Sequence, residues 1–300
     1  MKDQAQRLRE LARDRTFTGT FSASQTVQTR HRCKSIAVTS GKGGVGKTNI
    51  ALFIAVTLAQ SKKRVLLLDA DLGLANVHIL LGIAPKYNIS HFLEGECTLD
   101  QIICKSGSSD FDIIPGASGL EKLANLDRGR LEFLQHEFFK LEQNYDYIII
   151  DTGAGIGSVV TCFASKADTT IVVMTPEPTS LSDAYAMIKV LNEKRCSRIG
   201  VIVNMVGSDH GGAEIFDRLN TVVLKFLKKP IEIWGILPIN KEVPRYIRKQ
   251  SVFVLDKPYD NFSKRISSIV RKVSGISCNN NKQGFFARLL NSGIVINKVD

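Results

Sequence analysis

The sequence of 300 residues lacks any long apolar run. Its longest run, Ile50–Val56, is far short of the about 20 residues that a membrane-spanning helix needs. The six cysteines include no C-x-x-C pair, which argues against a cysteine metal site or a disulfide framework. Residues 1–34 are charged and polar, unlike a secretory signal, and no internal repeat is visible. These absences favour a cytoplasmic protein with reduced thiols.

The whole chain has a net charge of +11, and the excess of positive charge is concentrated at its two ends. Residues 1–34 carry a net charge of +5 and residues 241–300 carry +8, whereas residues 35–240 carry −2. Basic ends around a nearly neutral middle favour contact with an anionic membrane, a nucleic acid or an acidic protein. The alternative is that these are ordinary solvated lysines and arginines.

A glycine-rich segment, residues 41–48, fits the P-loop pattern G-x-x-x-x-G-K-[ST]. A β-branched strand at residues 34–40 precedes it and an apolar helix at residues 48–60 follows it, as a phosphate-binding loop requires. Lys47 is expected to reach the β- and γ-phosphates, and the Thr48 hydroxyl to ligate Mg²⁺. The predicted nucleotide-binding residues of the loop are Gly41, Lys42, Gly43, Gly44, Val45, Gly46, Lys47, Thr48 and Asn49.

Strand and helix patterns alternate through the middle of the chain and predict an α/β fold, with a doubly wound, mainly parallel sheet covered by helices on both faces. Helices are expected at 130–142 and 179–194, among others. The domains are predicted as an N-terminal helix and linker (1–34), a nucleotide-binding domain (35–274) and a linker with an amphipathic segment (275–300). The predicted strands are 35–39, 65–69, 111–115, 147–151, 170–175, 199–204 and 233–237.

Two carboxylates, Asp69 and Asp71, stand at i and i+2 where the second strand ends. We expect them to face the γ-phosphate and Mg²⁺, one polarising water and the other organising the metal shell. Their alternative role is to cap the loop. Asp151 ends another apolar strand and is expected to bind Mg²⁺ through water, while Gly153 and Gly155 form a loop that senses the γ-phosphate.

Together, these segments resemble the MinD/ParA family of deviant-Walker-A ATPases over about residues 34–255. The resemblance implies an ATP-dependent sandwich dimer, in which Lys42 reaches the partner's nucleotide and contributes to catalysis with Lys47. It also implies that Asp71 is the catalytic carboxylate and that Asn76 lies at the dimer face. Asn204 and Pro238 fall where the family recognises adenine.

The stretch 175–189 and Asn49 resemble the FlhG/FleN branch of this family, whose members regulate flagellar number and placement. Asp3, Gln4 and Ala5 resemble the activator helix of that branch, which stimulates the signal-recognition-particle-type GTPase FlhF; a frayed terminal helix is the alternative. A flagellar transcription regulator and proteins of the flagellar switch, or C-ring, are further expected partners.

The C-terminal stretch 284–291 predicts a short amphipathic helix that binds a membrane surface. Two such helices brought together by a dimer would bind through avidity. The alternative is a terminal helix packed on its own core, and both hold if the helix docks in the monomer and is released in the dimer. The predicted membrane residues are Phe285, Phe286, Leu289 and Leu290.

The leading hypothesis is therefore a cytoplasmic, peripherally membrane-associated ATPase switch with ATP and Mg²⁺ as cofactors. The principal alternative is a ParA-type ATPase that binds DNA non-specifically in chromosome or plasmid partitioning. The apolar tail favours lipid over nucleic acid as the target. An iron–sulfur carrier ATPase and a P-loop transferase or ligase receive less support, because the sequence shows neither a C-x-x-C pair nor a dedicated substrate pocket.

Overall fold

A computed structural model of the chain describes residues 32–71, 76–116, 128–275 and 283–292. Within these residues, eight strands form one sheet. The strands are β1 (Lys34–Ser40), β2 (Val65–Ala70), β3 (Cys104–Lys105), β4 (Asp112–Ile114), β5 (Tyr147–Ala154), β6 (Thr169–Met174), β7 (Ile199–Val206) and β8 (Glu232–Pro238).

Helices connect most of these strands, and two short 3₁₀ turns flank β3. The helices are α1 (Lys47–Gln60), α2 (Val77–Leu80), α3 (Ile89–Glu94), α4 (Arg128–Gln143), α5 (Ser158–Lys166), α6 (Pro178–Glu193), α7 (Asp209–Leu227), α8 (Val243–Arg248), α9 (Phe253–Asp256), α10 (Asn261–Ser274) and α11 (Phe285–Asn291).

The strand order is β3-β4-β2-β5-β1-β6-β7-β8, and every neighbouring pair is parallel except β3 with β4. The predicted doubly wound, mainly parallel α/β fold is therefore confirmed. All seven predicted strands are present, with ends that differ by a few residues. The two-residue edge strand β3 was missed, because a segment this short leaves no periodic pattern in the sequence.

Two apolar cores lie on opposite faces of the sheet. One contains residues of α4, α5, α6, α7 and α11, and the other contains residues of α1, α9 and α10. The central strands are apolar on both sides because both faces are covered; all six residues of β2 are buried. Helix α1 is buried almost all round, from Ile50 to Ala59, as its continuous apolar sequence predicts.

The sheet order places the functional segments side by side. Strands β2, β5 and β1 are neighbours, and their parallel register pairs Asp69 with Asp151 and Val38 with Asp151. Since the carboxyl ends of parallel strands meet at one edge of a sheet, the P-loop and both aspartate-bearing loops emerge together. This edge is the carboxyl edge referred to below.

Candidate functional site

The P-loop follows β1 directly and ends in the first turn of α1. Gly44 and Gly46 have positive φ angles of 77° and 89°, which glycine adopts at little cost. A side chain at Gly46 would also collide with Asn204, since an added Cβ would lie 2.6 Å from its Nδ2. That same amide donates a 2.8 Å hydrogen bond to the Val45 carbonyl, so Asn204 braces the loop.

Lys47 is buried in the first turn of α1 and points at β5. Its Nζ lies 3.3 Å from Asp151 Oδ1, and both side chains are nearly inaccessible to solvent. Burial raises the pKa of Asp151 to about 7, while the Lys47 ammonium and the Thr48 hydroxyl act in the opposite direction. The arrangement is a buried cation beside a carboxylate and a hydroxyl, which are the hard oxygen donors that Mg²⁺ prefers.

Asp69 is fully buried, and its carboxylate accepts hydrogen bonds from the loop that follows β2. The donors are the backbone amides of Asp71 (3.2 Å), Asn76 (3.0 Å) and Val77 (3.1 Å). Burial raises the pKa of Asp69, and these amides oppose the shift. Asp69 thus has the loop-capping role that the sequence analysis treated as the alternative, while its assignment to Mg²⁺ stays a prediction.

Asp71 follows the last residue of β2, next to the carboxyl end of β5, which contains Gly153 and leads into a loop at Gly155. A Cβ added at Gly153 would lie 3.4 Å from Asp71 Oδ1, so the missing side chain lets the carboxylate approach closely. Gly155 has a φ of 89°, and its amide donates to the Ser40 carbonyl at 2.9 Å, which ties this loop to the start of the P-loop. Asn76 lies at the beginning of α2.

Lys42 is held by its own chain rather than extended into solvent. Its Nζ contacts the Glu177 carboxylate and donates a 2.9 Å hydrogen bond to Thr179 Oγ1. Glu177 precedes the first turn of α6 and is more exposed than Lys42. Glu177 had no predicted role; its only signal in the sequence is a lone carboxylate between two prolines just beyond the end of β6.

A cleft beside the P-loop contains Asn204 and Pro238, the two residues matched to adenine recognition, together with Asn49. It lies between the start of α1, the carboxyl ends of β7 and β8, and helix α8. Among the described residues, none provides a hydrogen-bond partner for the buried Asn49 Oδ1 atom, and such an acceptor is costly unless a ligand or water donates to it. The cleft therefore fits a group that carries hydrogen-bond donors.

The C-terminal helix α11 is docked on the protein instead of projecting from it. Phe285, Phe286, Leu289 and Leu290, the predicted membrane residues, are all buried. Phe286 stacks on Phe138 of α4 with ring centroids 4.2 Å apart. In this conformation the helix cannot contact lipid, which agrees with the docked alternative. None of the described helices is both long and apolar enough to span a bilayer.

The N-terminal prediction cannot be compared with the fold, because Asp3, Gln4 and Ala5 lie outside the described residues. The remaining predicted site residues fall into three groups. The P-loop, Asp69, Asp71, Asp151, Asn76, Gly153 and Gly155 meet at the carboxyl edge; Asn204 and Pro238 flank the adjoining cleft; the tail residues lie elsewhere, packed against α4 and α5.

Two family models match the chain. Residues 33–198 match a model described as an AAA domain, and residues 132–274 match one described as a NUBPL iron-transfer P-loop NTPase. The chain is also similar in structure to a chain of the MinC:MinD cell division protein complex of Aquifex aeolicus, with a TM-score of 0.64 and 29% identity. That alignment covers 84% of this chain and 100% of the other.

Curated relatives match over most of their length. The chain is 38% identical over 244 residues to the Antiactivator FleN of Pseudomonas aeruginosa, covering 81% of this chain and 87% of FleN. It is 36% identical over 267 residues to the Flagellum site-determining protein YlxH of Helicobacter pylori, covering 86% and 90%. With the P-loop, Lys42 and the aspartate loops in place, the chain belongs to the FlhG/FleN branch of the MinD/ParA family of P-loop NTPases.

Proposed function

We propose that this protein is an ATP-hydrolysing switch that dimerises with ATP, attaches reversibly to the inner face of the membrane and regulates flagellar number or placement. The observation that carries the proposal is the convergence of two lysines and two carboxylates around the P-loop. They are Lys42, Lys47, Asp71 and Asp151.

The residues at the carboxyl edge fit ATP with Mg²⁺. Lys47 supplies a buried positive charge that would pair with phosphate in place of Asp151, and the glycines leave the loop amides free to approach phosphate oxygens. Thr48 and Asp151 would hold Mg²⁺, which when bound neutralises phosphate charge. The cleft at Asn204 and Pro238 would take the base.

Hydrolysis is assigned to Asp71, whose carboxylate lies beside Gly153 at the carboxyl end of β5. We propose that Asp71 orients and deprotonates the attacking water, which is general-base catalysis by a positioned carboxylate. Asp69 instead holds the backbone of the loop that carries Asp71, through three accepted hydrogen bonds. The two aspartates would thus divide positioning and proton transfer between them.

Dimerisation requires Lys42 to leave its contacts within the chain. Its partner Glu177 is largely exposed, and an ion pair of that kind contributes only up to about 1 kcal/mol. The phosphates bound by a second subunit offer Lys42 a more highly charged partner. Exchange of Glu177 for that nucleotide would therefore link ATP binding to dimer formation.

Membrane attachment would follow release of α11. The four apolar side chains that pack against α4 and α5 would insert into the lipid interface, and pairing of two tails would add avidity. Docked in one state and exposed in the other, the tail would follow the nucleotide state of the switch. The docked state is the one described above.

The flagellar role is inferred from the relatives named FleN and YlxH, which are described as an antiactivator and a flagellum site-determining protein. We propose a signal-recognition-particle-type GTPase as one partner, engaged through Asp3, Gln4 and Ala5. A flagellar transcription regulator or the flagellar switch would be further partners. Pull-down from native lysate with the Asp71→Ala variant in ATP tests this list.

The proposal as a whole is tested on the wild-type protein in ATP and in ADP. Light scattering should report a doubled mass in ATP only, phosphate release should report turnover, and co-sedimentation should report binding to anionic phosphatidylglycerol vesicles in ATP only. A constant monomeric mass in both nucleotides, with no phosphate released, would refute the switch.

A further inference from the structure

The two ends of the described fold meet at one carboxylate, that of Asp168, just before β6. Its Oδ1 accepts from Arg32 Nη2 at 2.9 Å and lies 3.0 Å from Arg288 Nη2, while its Oδ2 accepts from the Ser35 amide at 2.9 Å. Arg32 follows the N-terminal segment 1–31 directly, and Arg288 belongs to α11. One carboxylate, whose side chain is 9% exposed, is therefore shared between the first described residue and the tail helix.

The same two arginines share a second acceptor. The carbonyl of Gln283, two residues before the start of α11, accepts from Arg32 Nη2 at 3.1 Å and from Arg288 Nη1 at 2.7 Å. Arg288 also donates to the Lys166 carbonyl at 2.8 Å. Arg32 consequently contacts the tail directly, although 251 positions separate it from Gln283.

A fourth charge completes the cluster. Glu142 of α4 is buried beneath the tail, and its Oε1 accepts from the Phe286 amide at 2.7 Å. Burial raises the pKa of Glu142, and the positive charges of Arg288 and Arg32 oppose that shift. Two cations thus balance two carboxylates that are mostly shielded from solvent, and removal of Arg32 would leave one cation to compensate both.

We propose that this cluster, formed by Arg32, Glu142, Asp168 and Arg288, couples the N-terminal segment to the docking of α11. A partner that binds residues 1–31 and displaces Arg32 loosens the tail, and release of the tail frees Arg32, since such coupling is reciprocal. The inference deepens the proposed function and rests on it for the partner and the membrane. It gives the partner-binding end of the chain a physical route to membrane attachment.

Hydrogen exchange of the full-length protein, read by mass spectrometry on peptides covering residues 284–291, tests the coupling without any membrane. We expect Arg32→Gln to accelerate exchange of α11 by about tenfold, although Arg32 lies outside the helix, and Arg288→Gln to accelerate it at least as much. In the double variant the effect should fall well short of the product of the two single effects, because both arginines share their acceptors.

Two variants serve as controls. Arg198→Gln removes an arginine whose Nη2 lies 2.9 Å from Glu232 Oε1. This ion pair includes no residue of the tail, so the substitution should leave exchange of α11 unchanged. Gly284→Ala should undock the helix without any change in charge, because an added Cβ would lie 1.6 Å from Glu142 Oε2. Gly284→Ala therefore shows that the measurement detects undocking. Circular dichroism confirms that each variant is folded.

The proposal is overturned if Arg32→Gln leaves exchange of α11 unchanged while Gly284→Ala accelerates it. It is equally overturned if the single effects multiply in the double variant. Co-sedimentation of the same variants with phosphatidylglycerol vesicles separates this inference from the proposed function. Non-multiplicative effects of the two arginine variants on exchange of α11, without any vesicle binding, would support the cluster and refute the membrane role. Vesicle binding with exchange of α11 unchanged in Arg32→Gln would support the membrane role and refute the cluster.

Discussion

The contacts of Lys42 differ from those of the other lysine in the P-loop, Lys47. The P-loop needs only Lys47 for phosphate binding, and the structure shows Lys42 engaged with Glu177 and Thr179 instead. A lysine that is not needed for its own loop, held by a weak and solvent-accessible pair, is suited to exchange partners. The residue-scale predictions therefore concern Lys42 and the carboxylate that completes the site, Asp71.

We expect Lys42→Ala to abolish dimerisation in ATP while nucleotide binding is retained, because Lys47 and the loop amides stay in place. Light scattering in ATP measures the mass, and fluorescent ATP titration measures binding. Lys63→Ala, at an exposed lysine beyond α1, is the matched control and should dimerise normally. A normal dimer formed by Lys42→Ala would contradict the exchange mechanism.

We expect Glu177→Gln to shift dimerisation in ATP toward lower protein concentration, because the resting partner of Lys42 loses its charge. The shift should not exceed about fivefold, since the pair is solvent-accessible. Analytical ultracentrifugation across a concentration series measures it. Weaker dimerisation of Glu177→Gln would show that Glu177 supports the dimer rather than the monomer.

We expect Asp71→Ala to bind ATP and dimerise but to hydrolyse ATP at least about a hundredfold more slowly than wild type. The slow hydrolysis would trap the dimer. Phosphate release gives the rate, and light scattering gives the lifetime of the dimer. Asp217→Ala, at an exposed position on α7, is the control for removal of a carboxylate. Turnover at the wild-type rate in Asp71→Ala would assign catalysis to another group.

At the scale of elements, α11 is a seven-residue helix whose position depends on its contacts with α4 and α5. Helices this short are marginal by themselves in water, so packing supplies their stability. The Phe286 ring on Phe138 and the Glu142 carboxylate on the Phe286 amide provide an apolar and a polar contact. Both contacts can be removed by variants.

We expect deletion of residues 284–300 to abolish vesicle binding in ATP while ATP turnover is preserved, since α11 lies away from the carboxyl edge. The deletion also uncovers Phe138 and Phe163, so the melting temperature should fall by a few degrees. Co-sedimentation, phosphate release and calorimetry measure the three effects. Undiminished vesicle binding would refute the role of the tail.

Glu142 gives α11 a pH dependence of defined sign. Burial raises the pKa of this carboxyl, so the folded protein binds the proton more tightly than the unfolded chain. The linked stability is complete below the unfolded pKa of about 4.3 and is lost as the pH rises through the raised value. We expect Glu142→Gln to gain stability relative to wild type as the pH rises above the unfolded pKa of about 4.3, until the raised pKa of the folded state is passed.

Thermal unfolding at several pH values measures this difference. Glu137→Gln, which removes a carboxylate paired with Lys140 on the surface of the same helix, is the control and should show no such trend. If the stability difference between Glu142→Gln and wild type does not vary with pH, the pKa of Glu142 does not differ between the folded and unfolded states.

At the scale of the whole molecule, the separation of charge bears on the choice between lipid and DNA. The basic excess lies in residues 1–34 and 241–300, and α11, within the second of these regions, carries Arg288 beside its four apolar side chains. Lipid binding would use both charge and apolar area, whereas DNA would use charge alone.

We therefore expect the protein in ATP to bind anionic vesicles at about 0.15 M salt and not to retard duplex DNA under the same conditions. Co-sedimentation and gel mobility shift measure the two, and vesicles of neutral phosphatidylcholine control for charge. ATP-dependent retardation of DNA without vesicle binding would favour a partitioning ATPase instead.

Much of the fold was predictable because its signals are local. Buried parallel strands are continuous apolar runs, and the P-loop, with Asp69, Asp71 and Asp151, follows such runs at fixed positions. The partners of these residues were not predictable. Glu177 lies 135 positions from Lys42, and Asn204 lies 159 positions from the Val45 carbonyl that it supports.

The sequence by itself determined the parallel α/β architecture, the phosphate-binding loop and the amphipathic character of the tail, since each depends on the order of neighbouring residues. Only the tertiary structure decided that Asp69 caps a loop, that Lys42 rests on Glu177 and that the tail's apolar face is docked. It also brought Arg32 and Arg288 to one carboxylate. These outcomes depend on packing between distant segments, where burial and charge compensation select one partner from many that the sequence allows.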